Sequence, residues 1–186
     1  KLENFLAKNI FKIEKIIKNF VKDINIILDD KEFFPIEISI KKDHNGNSIS
    51  QENLINPLNV LKNLCQFSFK GKKIIHMLIE NYQIDGKDYS FLPENLKCNY
   101  FSLDIKFICL SKNLIEHYES VLKRYHILVN QILNAEYIEQ FQDQQNPNIY
   151  STASRIISGF NNNEISLVNK TLKSKGFFEK FFDFFN

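Results

Sequence analysis

The histidines, the side chains best suited to proton transfer and metal binding near neutral pH, stand apart from one another in this chain. His76 lies within an apolar run, where a buried histidine with satisfied hydrogen bonds is the simplest interpretation. His117 and His126 are nine residues apart, and no third ligand follows at the spacing of a zinc site. The sequence therefore predicts no metal centre.

The carboxylates form no catalytic arrangement either. Asp29 and Asp30, like Glu136 and Glu139, are typical of solvated surface, and Asp85-Gly86 is typical of a tight turn. The sequence contains no nucleophile motif, no HExxH helix and no phosphate-binding loop, and its 5 glycines are never adjacent. We expect no enzyme activity, no cofactor and no binding of ATP.

Composition limits the class of protein. The 186 residues suffice for one ordinary domain, with 44% hydrophobic residues to build its core. A net charge of +2 is too small to indicate nucleic-acid binding. The three cysteines, Cys65, Cys98 and Cys109, form no CxxC pair, which favours a reducing, cytoplasmic location.

The last ten residues have the composition of a helix that lies on a membrane surface. Six of them are phenylalanine, and at about 100° per residue these six fall within a helical arc of about 160°. Ten helical residues span only about 15 Å, so such a helix would lie in the interface of a bilayer about 30 Å thick. The predicted membrane-binding residues are Phe177, Phe178, Phe181, Phe182, Phe184, Phe185, Lys173, Lys175 and Lys180.

Two other roles for this tail stay open. It could pack back on its own domain, because the chain is rich in phenylalanine throughout, or it could bind in a groove of a partner protein. The three asparagines at 161–163 and Gly176 instead favour a linker and a hinge, and with them a tail that is separate from the core.

Hydrophobic periodicity predicts the elements that would carry the tail. Apolar residues at helical spacing, opposite a row of lysines, predict an amphipathic helix over residues 10–26. The lysine row could contact anionic lipid, but a solvated face is the simpler interpretation. Alternation of apolar and polar residues predicts a strand over 34–40, and HNGN at 44–47 predicts a turn.

A helix, two strands and a second helix are predicted next. Ser48 with Gln51, or Ser50 with Asn53, would cap a helix over 54–64. Pro57 must then lie in its first turn or kink it. Apolar runs predict strands over 73–84 and 101–110, and a capped apolar stripe predicts a helix over 113–125. One face of the 101–110 strand is expected to be buried: Leu103, Ile105, Phe107 and Cys109.

The remaining segments are short. LVNQIL at 128–133 predicts a strand, AEYIEQF at 135–141 a short helix, and IYSTASRIISGF a helix ending near Gly159. We divide the chain into an N-terminal helix (1–30), an α+β domain (31–142), a short helix (143–160), a linker (161–176) and the tail (177–186). The expected class is α+β, a small three-stranded sheet covered by helices.

A pattern through the predicted sheet carries a family resemblance. The pattern begins with the run IHMLIENYQIDG. It continues with a loop that contains a proline, then a strand, and then a helix that begins Asn-Leu. The residues that match the pattern are Ile75, His76, Tyr82, Ile84, Asp85, Gly86, Pro93, Leu96, Leu103, Asn113, Leu114 and Arg124. Weaker matches precede them at Gly46, Ile49, Ser50, Gln51 and Asn53. This stretch resembles the inserted SHS2-type subdomain of the bacterial cell-division protein FtsA, which implies an SHS2-like fold.

Two later segments resemble the same family. NPNIYSTASRIISGF resembles a late element of the family through Pro147, Tyr150, Ser151, Thr152 and Ala153, with Arg155 where the family has glycine. The phenylalanine-rich tail resembles the family's membrane-targeting amphipathic helix. The glycine-rich loops of the family's actin-like ATPase core are missing, so we expect either a reduced relative or a fragment.

The resemblance implies a non-enzymatic, membrane-tethered scaffold of bacterial cell division, peripheral on the inner face of the plasma membrane. The implied partners are division proteins (FtsZ or later components), an anionic membrane surface and further copies of the chain, with no nucleic acid. The alternative is a soluble protein-interaction module, either similar to the pilus-assembly protein PilM or unrelated, whose tail docks into a partner or into its own core.

Overall fold

The computed structural model describes residues 1–165, so the predicted tail and most of the predicted linker lie outside the described residues. The described elements are α1 (Leu2–Ile17), β1 (Asp23–Leu28), β2 (Phe34–Ser48), α2 (Glu52–Ser68), β3 (Lys72–Ile84), β4 (Lys87–Tyr89), β5 (Lys97–Ser111), α3 (Lys112–Lys123), β6 (Leu128–Asn134), α4 (Ala135–Glu139) and α5 (Ile149–Ile157). The predicted α+β class is confirmed.

The main sheet contains the three predicted strands and one more. Its order is β2-β5-β3-β4, and every neighbouring pair is antiparallel. Helix α2 packs on one face, where Leu54, Leu58 and Leu61 join the core. The prediction that one face of β5 is buried is confirmed, since all four of its residues are fully enclosed: Leu103, Ile105, Phe107 and Cys109.

Local hydrogen bonds set the start of α2. The Ser50 amide and hydroxyl both donate to Asn53 Oδ1, at 2.7 and 2.9 Å, so the second of the two predicted pairs forms. It does not cap the helix, since Gln51 is the N-cap residue and no side chain of residues 1–165 caps α2. Pro57 lies inside the helix and is buried, beyond its first turn, because α2 already begins at Glu52. Of the two predicted outcomes for Pro57, a place in the first turn is therefore wrong.

Two predicted turns have different outcomes. Asp85 and Gly86 have φ values of 46° and 82° and form the two-residue connection of the β3–β4 hairpin, as predicted. The prediction of a turn at HNGN is wrong. Asn45 and Gly46 also have positive φ, but they form an irregularity within β2, which continues to Ser48 and pairs with β5 on both sides of it.

The N-terminal prediction is wrong in its limits and in its buried face. Helix α1 ends at the left-handed residue Lys18, and residues 23–28 form β1, which pairs in parallel with β6. The isoleucines of β1 fit both the period of a helix and the period of a strand, and parallel pairing with β6 selects the strand. Leu2, Leu6 and Ile10 pack inward from α1, whereas Ile16 and Phe20, two of the apolar residues at helical spacing on which the prediction rests, are exposed.

A second layer lies on the opposite side of the main sheet. It contains the β1–β6 pair, α3 and the short helices α4 and α5, and the predictions of α3, β6, α4 and α5 are confirmed. The prediction of a linker from residue 161 is wrong for 161–165. This segment forms a single-residue bridge to β3 between Glu164 and Leu78, and Ile165 joins the core beneath α2.

Candidate functional site

His76 is the one histidine among residues 1–165 that is buried, with 2% of its surface exposed. It lies on β3 on the face opposite α2, and its ring stacks against the ring of Tyr137 at 4.5 Å between centroids. The prediction of a buried histidine with satisfied hydrogen bonds is confirmed, because both ring nitrogens have partners.

The partners of His76 fix its tautomer. The backbone N–H of Asn134 donates to His76 Nε2 at 3.1 Å, so Nε2 must be an acceptor without a proton. The proton therefore lies on Nδ1, which donates to Glu164 Oε1 at 2.7 Å. A neutral histidine thus bridges the end of β6 and the segment that follows α5.

Glu164 is shared between His76 and Tyr137. Its second oxygen, Oε2, accepts the Tyr137 hydroxyl at 2.7 Å, and that hydroxyl accepts from the Asn161 side-chain amide at 3.0 Å. Burial raises the pKa of Tyr137, and the charge of Glu164 raises it further, so the phenol remains a donor across the physiological range. Every polar atom of this buried group that we name has a partner.

Backbone and side-chain bonds join the same segment to the sheet. The Ile79 amide donates to the Asn163 carbonyl at 2.9 Å, and the Ile165 amide donates to the Met77 carbonyl at 2.8 Å. Tyr82 adds a bond from its hydroxyl to Asn163 Oδ1 at 3.2 Å. We call this group the latch: His76 and Tyr137 with the bound segment 161–165.

The latch contains the histidine–carboxylate pair of many general bases, but its proton-accepting nitrogen is occupied. In such a base, Nε2 must face the substrate. Here Nε2 accepts a backbone N–H from Asn134, and the ring has almost no exposed surface. The arrangement is suited to holding residues 161–165 in place, and it gives no route for proton transfer to a ligand.

A cavity of about 830 Å³ lies beside the latch. Five consecutive residues of β3 (72–76) and five of β6 (129–133) line it, together with Glu164 and Ile165. Within residues 1–165, β6 pairs only with β1, and the 72–76 stretch of β3 pairs only with β5. Among the described residues, therefore, the latch lies next to two strand edges that no other strand pairs with.

The other predicted site residues do not meet in one place. The nine predicted membrane-binding residues all lie outside the described part of the chain. His117 and His126 are exposed, and no group of three potential metal ligands occurs among residues 1–165. Asp85 joins the β3–β4 turn to β5, since its carboxylate accepts hydrogen bonds from the backbone amides of Asn99 and Tyr100. Sequence reasoning missed Glu164, because nothing in NNNEIS marks it as a partner of His76.

No protein-family model matches the chain, and no curated protein matches it significantly.

Across residues 1–165, every helix is too short or too polar to span a bilayer.

Proposed function

We propose that this chain is a non-enzymatic scaffold module that tethers itself to a membrane surface through its phenylalanine-rich C-terminal tail. The observation that carries the proposal is the latch. The chain is held in the core as far as Glu164 and Ile165, so the segment that contains the tail sequence continues from a fixed point of the domain. A fixed point of attachment limits how far the domain can move from its anchor.

Tail composition supplies the affinity. Complete burial of one phenylalanine contributes on the order of 1.5–3 kcal/mol, so partial insertion of several such residues gives several kcal/mol. Lysines near an anionic surface add about 1 kcal/mol each. These contributions are sufficient for reversible membrane attachment.

The partner class rests on the resemblance to the inserted SHS2-type subdomain of FtsA. The order of α2, β3, a loop with Pro93, β5 and α3 supports it, because the resemblance implies this order of helix, strand, loop, strand and helix. We propose contacts with division proteins and between copies of the chain, at the inner face of the plasma membrane.

The test compares the full chain with the double variant Phe181→Glu/Phe182→Glu in sedimentation with anionic liposomes. The variant should lose most of its binding while its melting temperature stays unchanged, because negative charges oppose insertion and, on this proposal, the tail is not part of the core. Phe67→Glu on α2 is the matched control, since Phe67 is 73% exposed and lies away from the tail in sequence. Equal liposome binding by parent and tail variant would contradict the proposal.

The cavity beside the latch favours a second candidate, a soluble interaction module whose tail docks on its own domain. The edges of β3 and β6 that face the cavity lie where the chain continues beyond Ile165. For this candidate the tail variant would lower the melting temperature by many degrees, because two buried side chains would be replaced by unpaired charges. The parent would then show no liposome binding.

A further inference from the structure

Helix α1 uses only one side to pack on the domain. Leu6 is buried, and Leu2 and Ile10 pack beside it against a cluster from α3 and the start of β6 that includes Leu122 and Ile127. These contacts account for one side of the helix and leave the other side facing outward.

The outward side combines large apolar residues with lysines. Phe5, Phe11 and Ile16 are 54%, 77% and 79% exposed. At about 100° per residue they lie in one arc of roughly 140° with the exposed lysines of the helix. We call this surface the outer face of α1: Phe5, Lys8, Phe11, Lys12, Lys15 and Ile16.

The acidic residues of α1 are held away from the outer face. Glu3 accepts a hydrogen bond from Arg124 Nη1 at 2.7 Å, and Glu14 accepts the Val21 amide at 3.0 Å. These two are the only carboxylates in the sequence of α1. The outer face therefore presents positive charge around exposed aromatic and aliphatic groups.

We propose that the outer face of α1 binds an anionic membrane surface and forms a second membrane contact of the chain. The charge complementarity selects a lipid surface, because the lysine stems can extend toward headgroups while the phenylalanines enter the acyl boundary. This inference rests on the proposed membrane tethering. Two weak contacts are the usual requirement for stable attachment, since a single small anchor binds marginally.

The segment that joins the tail to the latch is long compared with α1. Helix α1, with 16 residues, is about 24 Å long. The eleven residues 166–176 between the latch and the first tail phenylalanine can span up to about 40 Å. The reach of this segment therefore exceeds the length of α1.

The test uses the full chain with two kinds of vesicle, phosphatidylcholine alone and phosphatidylcholine mixed with phosphatidylglycerol. Phe11→Ser/Ile16→Ser should weaken partitioning into the mixed vesicles about tenfold, because two apolar contacts are lost. Lys8→Glu/Lys12→Glu should weaken it at least tenfold and remove the preference for mixed vesicles. Phe67→Ser, a change of an equally exposed phenylalanine on α2, should bind as the parent does, and circular dichroism should show all variants folded.

Each outcome separates the α1 face from the tail. Loss of binding in both α1 variants, and a further loss when either is combined with Phe181→Glu/Phe182→Glu, is the expected result. Binding of both α1 variants that equals the Phe67→Ser control would overturn the inference and leave the tail proposal standing. Loss in the α1 variants with no effect of the tail variant would support the α1 face and overturn the tail. A parent that binds neither vesicle would overturn both.

Discussion

Replacing Glu164 by glutamine tests whether the latch holds the end of the domain. The change keeps the size of the side chain but removes its charge, and it leaves one acceptor oxygen where the carboxylate offers two. His76 Nδ1–H and the Tyr137 hydroxyl both donate to Glu164 at 2.7 Å, so one of these donors loses its acceptor. Glu164→Ala removes the acceptor for both.

The magnitude follows from burial. A buried donor without a partner costs about 1–3 kcal/mol, so Glu164→Gln should lower the free energy of unfolding by about that amount, and Glu164→Ala by about twice as much. For a chain of this size 1 kcal/mol corresponds to roughly 2–4 °C in melting temperature. Glu3→Gln is the matched control, because Glu3 makes an equally short contact with Arg124 at 2.7 Å on the exposed surface. That exposed pair should contribute less than about 1 kcal/mol.

Urea and thermal unfolding followed by circular dichroism measure the loss of stability. Hydrogen exchange measures local release, since the Ile79 amide is protected by the Asn163 carbonyl and should exchange faster in both Glu164 variants. If Glu164→Gln matched Glu3→Gln in melting temperature and left exchange at Ile79 unchanged, the reasoning about the latch would be refuted.

Three further outcomes are expected from the described core. Phe107→Asp should unfold the domain, because it places an unpaired charge at a fully enclosed position. Lys106→Ala, on the opposite face of β5, should lower the free energy of unfolding by less than about 1 kcal/mol. Urea unfolding measures both. Cys65 and Cys109 should resist iodoacetamide at pH 7 until urea unfolds the chain, since burial raises the pKa of both thiols, that of Cys109 to about 12; rapid labelling of the folded protein would contradict this. Burial also raises the pKa of Tyr82 and Tyr137 above the unfolded value near 10. The stability that their neutral forms contribute is therefore complete below about pH 10 and falls as the pH rises further. Tyrosinate absorbance and the free energy of unfolding in urea should change together with pH, and the free energy should fall less steeply in Tyr82→Phe.

The main sheet was predictable because its signals are local. The 101–110 run alternates with period two, and the Asp85-Gly86 pair supplies the two positive φ values that a two-residue hairpin requires. The start of α2 is also marked locally, since Ser50 bonds to Asn53. The prediction that Asn113 caps α3 is wrong, because Asn113 lies inside the helix and Ser111 is its N-cap residue. Where the deciding interaction lies within one turn or one strand, its residue pattern is sufficient to predict the element.

The N-terminal region was not predictable because its deciding partner is remote. Ile24 and Ile26 suit a helix or a strand equally, and the choice is made by parallel pairing with β6, about a hundred residues later. The same holds for HNGN, whose residues have the expected positive φ but remain within β2 because β5 pairs on both sides of them. Such long-range pairings leave no mark in the local sequence.

The candidate site contains one feature that was predictable from the local sequence and one that was not. The burial of His76 was predictable from its apolar neighbours, but its partner Glu164 is separated from it by 88 positions. The asparagine-rich stretch was interpreted as a linker because asparagine is common in loops. In the fold, Asn161 and Asn163 instead donate to and accept from buried tyrosine hydroxyls. The polar composition of this stretch predicted an exposed loop, but its side chains supply the hydrogen-bonding groups of a contact with buried residues.

The latch and the α1 face together bear on what kind of tether this chain would be. An anchor joined through a free linker limits only the distance between domain and membrane, since the domain can still rotate about the point of attachment. A second contact along α1, a helix about 24 Å long, also restricts the rotation of the domain. For a scaffold that must present one face to its partners, this restriction matters more than added affinity. The Glu164 variants should lengthen the segment that joins the tail to the folded domain, while leaving the phenylalanines and the α1 lysines unchanged.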